Sequence, residues 1–342
     1  MQRVAALRGQ MQIERFARIS LGHFPTPLEP MPNLERHLGG PRLWVKRDDY
    51  TGLGAGGNKV RKLEFLLADA RAKGADCVIT IGALQSNHAR QTAAACAKLG
   101  IECHLILRRG VPVDTGAYNA SGNVLLNGLF GAKVTVIPRE ASREREMEAL
   151  AERLRGEGRG PYCIPLGGTD ALGDLGYAEC ARELLGQCAV AGIEPTHIVV
   201  ATGTGGTQAG LVAGLHALGS RARVTGISVE GKESQQAEAV FRHAAAAAQA
   251  LGAASPLAQE AVEVLGGYYG PGYGLPCDEM VEALRLAARL EGLLLDPFYT
   301  AKAMAGLIGL ARAGRFSRGD TVVFLHTGGL PGLFAYPELF AG

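Results

Sequence analysis

The sequence predicts an α/β fold built on mainly parallel sheets, and three observations lead there. Short β-rich apolar runs alternate along the chain with Ala/Leu-rich stretches of helical period. Glycine, 48 residues in all, gathers at strand-to-helix junctions, where a turn needs positive φ or the backbone must approach a ligand. With 342 residues, 47% of them hydrophobic and 20% charged, the chain can bury a substantial core, and its length favours two compact domains over one.

Strands are read at residues 43–45, 77–81, 103–107, 133–137, 197–201, 224–229 and 321–325, each a short apolar run of strand length. Helices are read at residues 59–73, 88–99, 144–155, 208–218 and 278–290, each ending near a glycine or a basic residue. Residues 231–261, with AAAAA at 244–248, are compositionally simple and are expected as a surface helix and loop carrying little chemistry. No internal repeat is present.

Lys+Arg 35 against Asp+Glu 33 leaves a formal net charge of +2, so no basic field attracts nucleic acid or an anionic membrane. The expected ligand is small. Seven cysteines, at 77, 96, 103, 163, 180, 188 and 277, form no CxxC pair and no Cys/His cluster of zinc spacing; no metal site is expected and the thiols read as reduced core filler. The N-terminal MQRVAALRGQMQIERF lacks the continuous apolar stretch of a signal peptide, and no later run approaches a membrane span. The expected location is the cytoplasm.

Four constellations can carry chemistry. Gly-Gly-Asn-Lys at 56–59 puts Lys59 at the mouth of a helix after a flexible turn, from which it can reach inward. Carbonyl chemistry needs a partly neutral amine, which desolvation and nearby positive charge promote; it can then form a Schiff base and return as general base. Viewed alone, the more ordinary reading is a solvated lysine in a basic first turn with Arg61 and Lys62. In Gln-Ser-Asn-His at 85–88, Ser86 or Asn87 can cap the following helix. The same free N–H groups can hold a substrate carboxylate, while Asn87 bonds a phenolic oxygen.

Thr202, Gly203, Thr204, Gly205, Gly206 and Thr207, between a strand and a helix, are the strongest local signal, since such a turn gathers N–H groups and hydroxyls around one point and can cradle a phosphate. A nicotinamide reading starts from Gly203 and Gly205 with Glu230 after the next strand, but Gln208 stands where the third glycine belongs. The fourth group is C-terminal: Tyr268, Tyr269, Gly-Tyr-Gly at 272–274, Asp-Pro-Phe-Tyr-Thr at 296–300 and His-Thr-Gly-Gly at 326–329. Tyrosines flanked by glycines can face a cleft as acids or hydrogen-bond donors, although singly each is more often a packed residue.

Together these segments resemble the fold-type II pyridoxal-phosphate enzymes (tryptophan synthase β-like), in the branch of D-cysteine desulfhydrase, L-cysteate sulfo-lyase and 1-aminocyclopropane-1-carboxylate deaminase. The resemblance runs from about Phe24 to Tyr336 and includes PTPLEPM at 25–31, KRDD at 46–49, GGNKVRKLEF at 56–65, QSNHARQTAAACAKLG at 85–100, YNASGNVLL at 118–126, GTQAGL at 206–211, GYGLP at 272–276 and LLLDPFYTAKAMAGL at 293–307. It implies that Lys59 holds pyridoxal 5'-phosphate covalently, that Asn87 contacts the ring 3-oxygen and that Ser86 lies near the substrate carboxylate. It implies further that residues 202–207 form the phosphate cup and that Tyr273 and Tyr299 are the two active-site tyrosines. A small domain at residues 55–165, inserted into a large one at 1–54 and 166–342, and a homodimer follow from the same resemblance.

Positions 300 and 327 separate the branches. Cyclopropane deaminases carry a glutamate at the first and an apolar residue at the second, where this chain has Thr300 and Thr327. A carboxylate at the pyridine nitrogen strengthens the electron sink, whereas a hydroxyl suffices when sulfide or sulfite leaves the β-carbon. The implied function is therefore a carbon–sulfur lyase acting on a cysteine-type amino acid. HLGGPR at 37–42 and VVFLHTGG at 322–329, with residues 25–31, 45–49 and 51–53, look nearest to L-cysteate sulfo-lyase, although no arginine is placed by its motif to bind a sulfonate. The alternatives are the cyclopropane deaminase and a non-catalytic amino-acid-binding protein on the same scaffold.

Overall fold

The computed structural model describes residues 11–340; the first ten residues of the N-terminal stretch read for a leader lie outside them. β1 (Leu28–Pro30), α1 (Pro32–Leu38) and β2 (Arg42–Arg47) lead into α2 (Lys59–Ala72), β3 (Cys77–Ala83), α3 (Asn87–Leu99), β4 (Glu102–Arg108), α4 (Gly116–Ala120), α5 (Asn123–Leu129), β5 (Lys133–Ile137), α6 (Arg143–Gly156) and β6 (Pro161–Ile164). There follow α7 (Leu175–Ala191), β7 (His197–Thr202), α8 (Gly206–Ala217), β8 (Arg223–Ser228), α9 (Glu233–Ala250), β9 (Glu263–Leu265), α10 (Asp278–Glu291), α11 (Thr300–Arg312), β10 (Thr321–His326) and α12 (Leu330–Leu333). The fold is α/β with mainly parallel sheets, and every strand and helix read from the sequence is present.

Two sheets form. One has the order β5-β4-β3-β6 and is wholly parallel; the other has the order β1-β2-β10-β7-β8-β9, with only β1 antiparallel. In β10, Val322 and Phe324 face a core made with Leu34 of α1, Met280 of α10 and Met304 of α11, while Val323 and Leu325 face one made with Leu184 of α7, Leu211 of α8 and Val240 of α9. A sheet covered on both faces explains why its strands read as continuous apolar runs.

The pairing of β2 with β10 joins the beginning of the chain to its end. It brings the loop before Lys59 against the one after His326 so closely that a Cβ on Gly328, which sits at φ +87°, would lie 2.7 Å from Gly57 Cα. Only glycine fits that contact.

Two local readings are corrected here. Arg61 and Lys62 do not form a solvated first turn: both are buried, Arg61 against Asp48 and Glu183 and Lys62 against Asp174. The simple-composition stretch is not a bare surface helix either, because α9 buries Val240 and Ala244 in the core and its Gln236 donates to the carbonyls of Thr202 (3.2 Å) and Gly203 (3.0 Å). Small alanines let α9 pack close, and composition alone hides that.

Candidate functional site

A cleft of about 400 Å³ opens where the C-terminal ends of the strands of the two sheets face one another, a size and place typical of small-molecule sites in α/β folds. Lys59, Ser86, Asn87, Gly203, Thr204, Gly205, Thr207, Tyr273, Tyr299 and Thr327 all line it. Residues distant in sequence, from Lys59 to Thr327, thus meet at one cleft.

Lys59 opens α2. The backbone N–H of its neighbour Asn58 donates to Thr327 O (2.9 Å) and the Asn58 side chain to Thr207 Oγ1 (3.0 Å), tying the lysine turn to both facing loops. Burial, then the Lys62 ammonium, bring the Lys59 amine down to about 7, against the opposing pull of Asp174. Lys62 is itself held by Asp174 (3.2 Å), Thr169 Oγ1 (3.2 Å) and the carbonyls of Gly167 and Gly168. An amine so placed is substantially a free base at neutral pH.

Ser86 caps α3, its Oγ accepting from Ala89 N (3.1 Å). Asn87 accepts from Asn123 Nδ2 (2.9 Å) and donates to Asp296 Oδ2 (3.4 Å), so its amide is oriented from both sides. Asp296 is fully buried, and its carboxyl is pushed up to about 6 by that burial despite bonds from the first turn of α11. Across the cleft, Gly205 (φ +87°) stands at the N-cap of α8 and offers no side-chain cap, leaving the first N–H groups of the helix to the cleft. Thr204 Oγ1 pairs with Thr169 Oγ1 (2.6 Å) beside them. Tyr273 and Tyr299 share a hydroxyl–hydroxyl bond of 2.8 Å, and burial holds both phenols above their ordinary range.

Three of the expected residues do not line the cleft. Thr202 donates to Gln208 Oε1 (2.7 Å), and Gly206 leaves room for Asp174 and Lys62. Thr300 is turned away, its Oγ1 donating to Asp296 Oδ1 (2.8 Å) where the chain enters α11. A contact of Thr300 with the ring nitrogen does not follow from this geometry; of the two discriminating threonines, Thr327 faces the cleft.

Other residues arrive that motif reading did not single out. Arg108 at the end of β4, Arg139 beyond β5 and Arg143 at the start of α6 all line the cleft, which corrects the expectation that no arginine is placed for an anion. Their one shared signal is a position at or beyond the C-terminal end of a strand of a parallel sheet. Lys302 of α11 is buried and donates to the carbonyls of Tyr269 (2.8 Å) and Gly272 (2.6 Å), fixing the loop that carries Tyr273.

Comparison with known proteins bears on the family and the fold. A family model for pyridoxal-phosphate dependent enzymes matches residues 19–328. The D-cysteine desulfhydrase of Klebsiella pneumoniae (strain 342) is 46% identical over 326 residues, covering 95% of this chain and 97% of that protein. A crystal structure of an ACC deaminase homologue superposes with a TM-score of 0.86 at 39% identity, over 98% of this chain and 97% of the other. Escherichia coli diaminopropionate ammonia lyase, at 14% identity and a TM-score of 0.69 over 100% of this chain and 91% of the other, shares the fold. A lysine of lowered basicity, an uncapped glycine-rich helix start and a match across nine-tenths of the chain lead to one conclusion: the chain belongs to the pyridoxal-phosphate dependent enzymes of fold type II.

Proposed function

We propose that this enzyme is a carbon–sulfur lyase which, with water, converts a cysteine-type amino acid to pyruvate and ammonia, releasing sulfide from D-cysteine or sulfite from L-cysteate. The observation that carries this reading is the near-neutral Lys59 amine, set in one cleft between the Ser86 turn and the start of α8. The residues fit the cofactor. The uncapped α8 start and the hydroxyls of Thr204 and Thr207 suit a phosphate, Asn87 suits the ring 3-oxygen, and Thr327 suits the ring nitrogen. Bound there, pyridoxal phosphate supplies an aldehyde that condenses with amino groups and a ring that withdraws electron density from the α-carbon.

The chain's own residues do the rest. The free N–H groups of α3 around Ser86 hold the substrate carboxylate. Lys59 Nζ, partly neutral at pH 7, takes the α-proton. The Tyr273 and Tyr299 hydroxyls, kept protonated by burial, offer a proton to the departing sulfur group. A hydroxyl at Thr327 in place of a carboxylate favours expulsion of a sulfur group over opening of a cyclopropane ring.

Residues 55–165 are proposed as a small domain closing on residues 1–54 and 166–342 to keep water out. The cytoplasm and a homodimer belong to the same proposal. Leu125, Leu129, Val134 and Val136, exposed on α5 and β5, are apolar surface that a second copy can cover; a monomer in sedimentation would refute the dimer.

The test is an absorption scan of the purified protein, followed by assays of sulfite, sulfide and 2-oxoacid with L-cysteate, D-cysteine and 1-aminocyclopropane-1-carboxylate. Sulfite or sulfide with pyruvate is expected. 2-Oxobutyrate from the cyclopropane alone would replace this reading by the deaminase. A coloured protein that turns over none of the three would favour an amino-acid-binding protein.

The Tyr273 loop supplies a second expectation. Lys302→Met removes the ammonium that grips two carbonyls of that loop, and kcat/KM is expected to fall about 10- to 100-fold. Cofactor content should remain that of the wild type. Unchanged kinetics would show that the loop holds Tyr273 without Lys302.

A further inference from the structure

The cleft wall beside the two tyrosines carries an excess of positive charge that the protein does not neutralise. Arg108 closes β4 opposite Ala83 of β3 and Ile137 of β5, three residues in register from the Ser86 turn. Arg143 begins α6, beyond the next strand end. The Nε atoms of both arginines are buried without a hydrogen-bond partner, and among the described residues neither guanidinium has a carboxylate at ion-pair distance. Glu230, the acid that shares the cleft, is engaged by Lys232 (3.3 Å) and Gln236 (3.4 Å).

Burial, then the charge of Arg108, press the Arg143 guanidinium down from its usual range, while Glu144, then Tyr273 and Glu230, act in the opposite direction. Two guanidiniums that line one cleft, each with an open Nε donor, form an arrangement that a bound anion relieves. Arginine forks match the oxygens of a tetrahedral or planar oxyanion, and the same pair gains nothing from a neutral thiol. The substrate carboxylate and the cofactor phosphate have other donors, at the starts of α3 and α8.

We propose that Arg108 and Arg143 form a subsite for an anionic group on the β-carbon, so that the substrate class of this lyase is the β-sulfonated amino acid, represented by L-cysteate. This rests on the lyase reading of the same cleft. Arg139, exposed at the rim, adds long-range attraction for the same charge. The sulfonate carbon–sulfur bond breaks with its electron pair on sulfur, leaving sulfite, whose new charge the pair also balances. No oxidant or reductant is involved.

The test is a binding titration of the holoenzyme with L-cysteate and with D-cysteine, followed by the change in cofactor absorption, for wild type, Arg143→Gln, Arg143→Lys and Arg108→Gln. In Arg143→Gln the ratio of the L-cysteate to the D-cysteine dissociation constant should rise about 10- to 100-fold. Arg108→Gln should raise it in the same direction, and Arg143→Lys, which keeps the charge without the fork, should fall between.

A ratio within twofold of wild type in all three variants would overturn the subsite. So would a parallel loss of both ligands or of the cofactor itself, since the arginines would then serve a group common to both. Products are assayed in the same samples. Arginine-dependent binding of L-cysteate without pyruvate or sulfite would leave the subsite standing and refute the elimination reading instead.

Discussion

Lys59→Ala is expected to abolish turnover, with kcat falling by about four orders of magnitude or more. The loss is so large because the proposed reading gives one amine two tasks, holding the cofactor and moving the α-proton, and the neighbouring lysine of the same helix is not free to replace it. Lys62, three residues on, is locked to Asp174 and three oxygens of residues 167–169. The pH dependence has a definite sign. An ordinary lysine titrates near 10.5, whereas Lys59 sits near 7, so uptake of pyridoxal phosphate by the apoprotein should be level above about pH 7. Below it, uptake should fall tenfold per unit as the amine takes up its proton. Stopped-flow absorption of the reconstituting protein reads this directly. Near-normal turnover in Lys59→Ala would remove the assignment, and a midpoint near 10 would show that burial does not depress the amine.

Asp48→Ala should cost about 3–5 kcal/mol of folding stability, the usual penalty for removing one partner of a buried, hydrogen-bonded ion pair. Asp48 is fully buried just past β2 and accepts from Arg61 Nε (2.8 Å), Arg61 Nη2 (2.9 Å), Thr26 Oγ1 (2.8 Å) and Tyr177 OH (2.6 Å). Arg61 also holds Glu183 of α7, which in turn pairs with Lys46 of β2. Because Arg61 lies two residues beyond Lys59, this cluster anchors the helix that presents the catalytic candidate.

Burial alone would raise the Asp48 carboxyl, but the charge and hydrogen bonds of Arg61, with Lys46 and Tyr177, bring it from 3.8 down to about 2. The stability contributed by this carboxylate is therefore complete above about pH 4 and is lost as the pH falls toward 2. Urea denaturation at pH 7 and at pH 3 checks both statements. A change under 1 kcal/mol at pH 7 would mean that the cluster relaxes or admits water.

Much of the fold was legible in the sequence because its signals are local. β5 coincides with the reading at 133–137, and the helix starts at Lys59 and Asp278 coincide as well. α7 and α11 are the long elements that periodicity did not supply. Both are buried around much of their circumference, so the contrast between a wet and a dry face that marks an amphipathic helix is weak. β1, β6 and β9 have only three or four residues each and become strands through their neighbours, with too little local pattern to declare themselves.

The candidate site divides the same way. The glycine turn before Lys59, the cap at Ser86 and the hydroxyl-rich start of α8 are near-neighbour chemistry, in which turn, donor and acceptor lie within a few residues, so the sequence by itself determined them. Only the tertiary structure decided which charges are hidden and which face the cleft. Arg61 and Lys62 look like a solvated pair until Asp48, Glu183 and Asp174 close over them. Thr300 and Thr327 look equivalent until Asp296 takes the hydroxyl of the first. Arg108 and Arg143 come to line one cleft only when the parallel pairing of β4 with β5 sets the two strand ends side by side. The physical reason is that burial and charge pairing depend on distances through space, which no run of neighbouring residues contains.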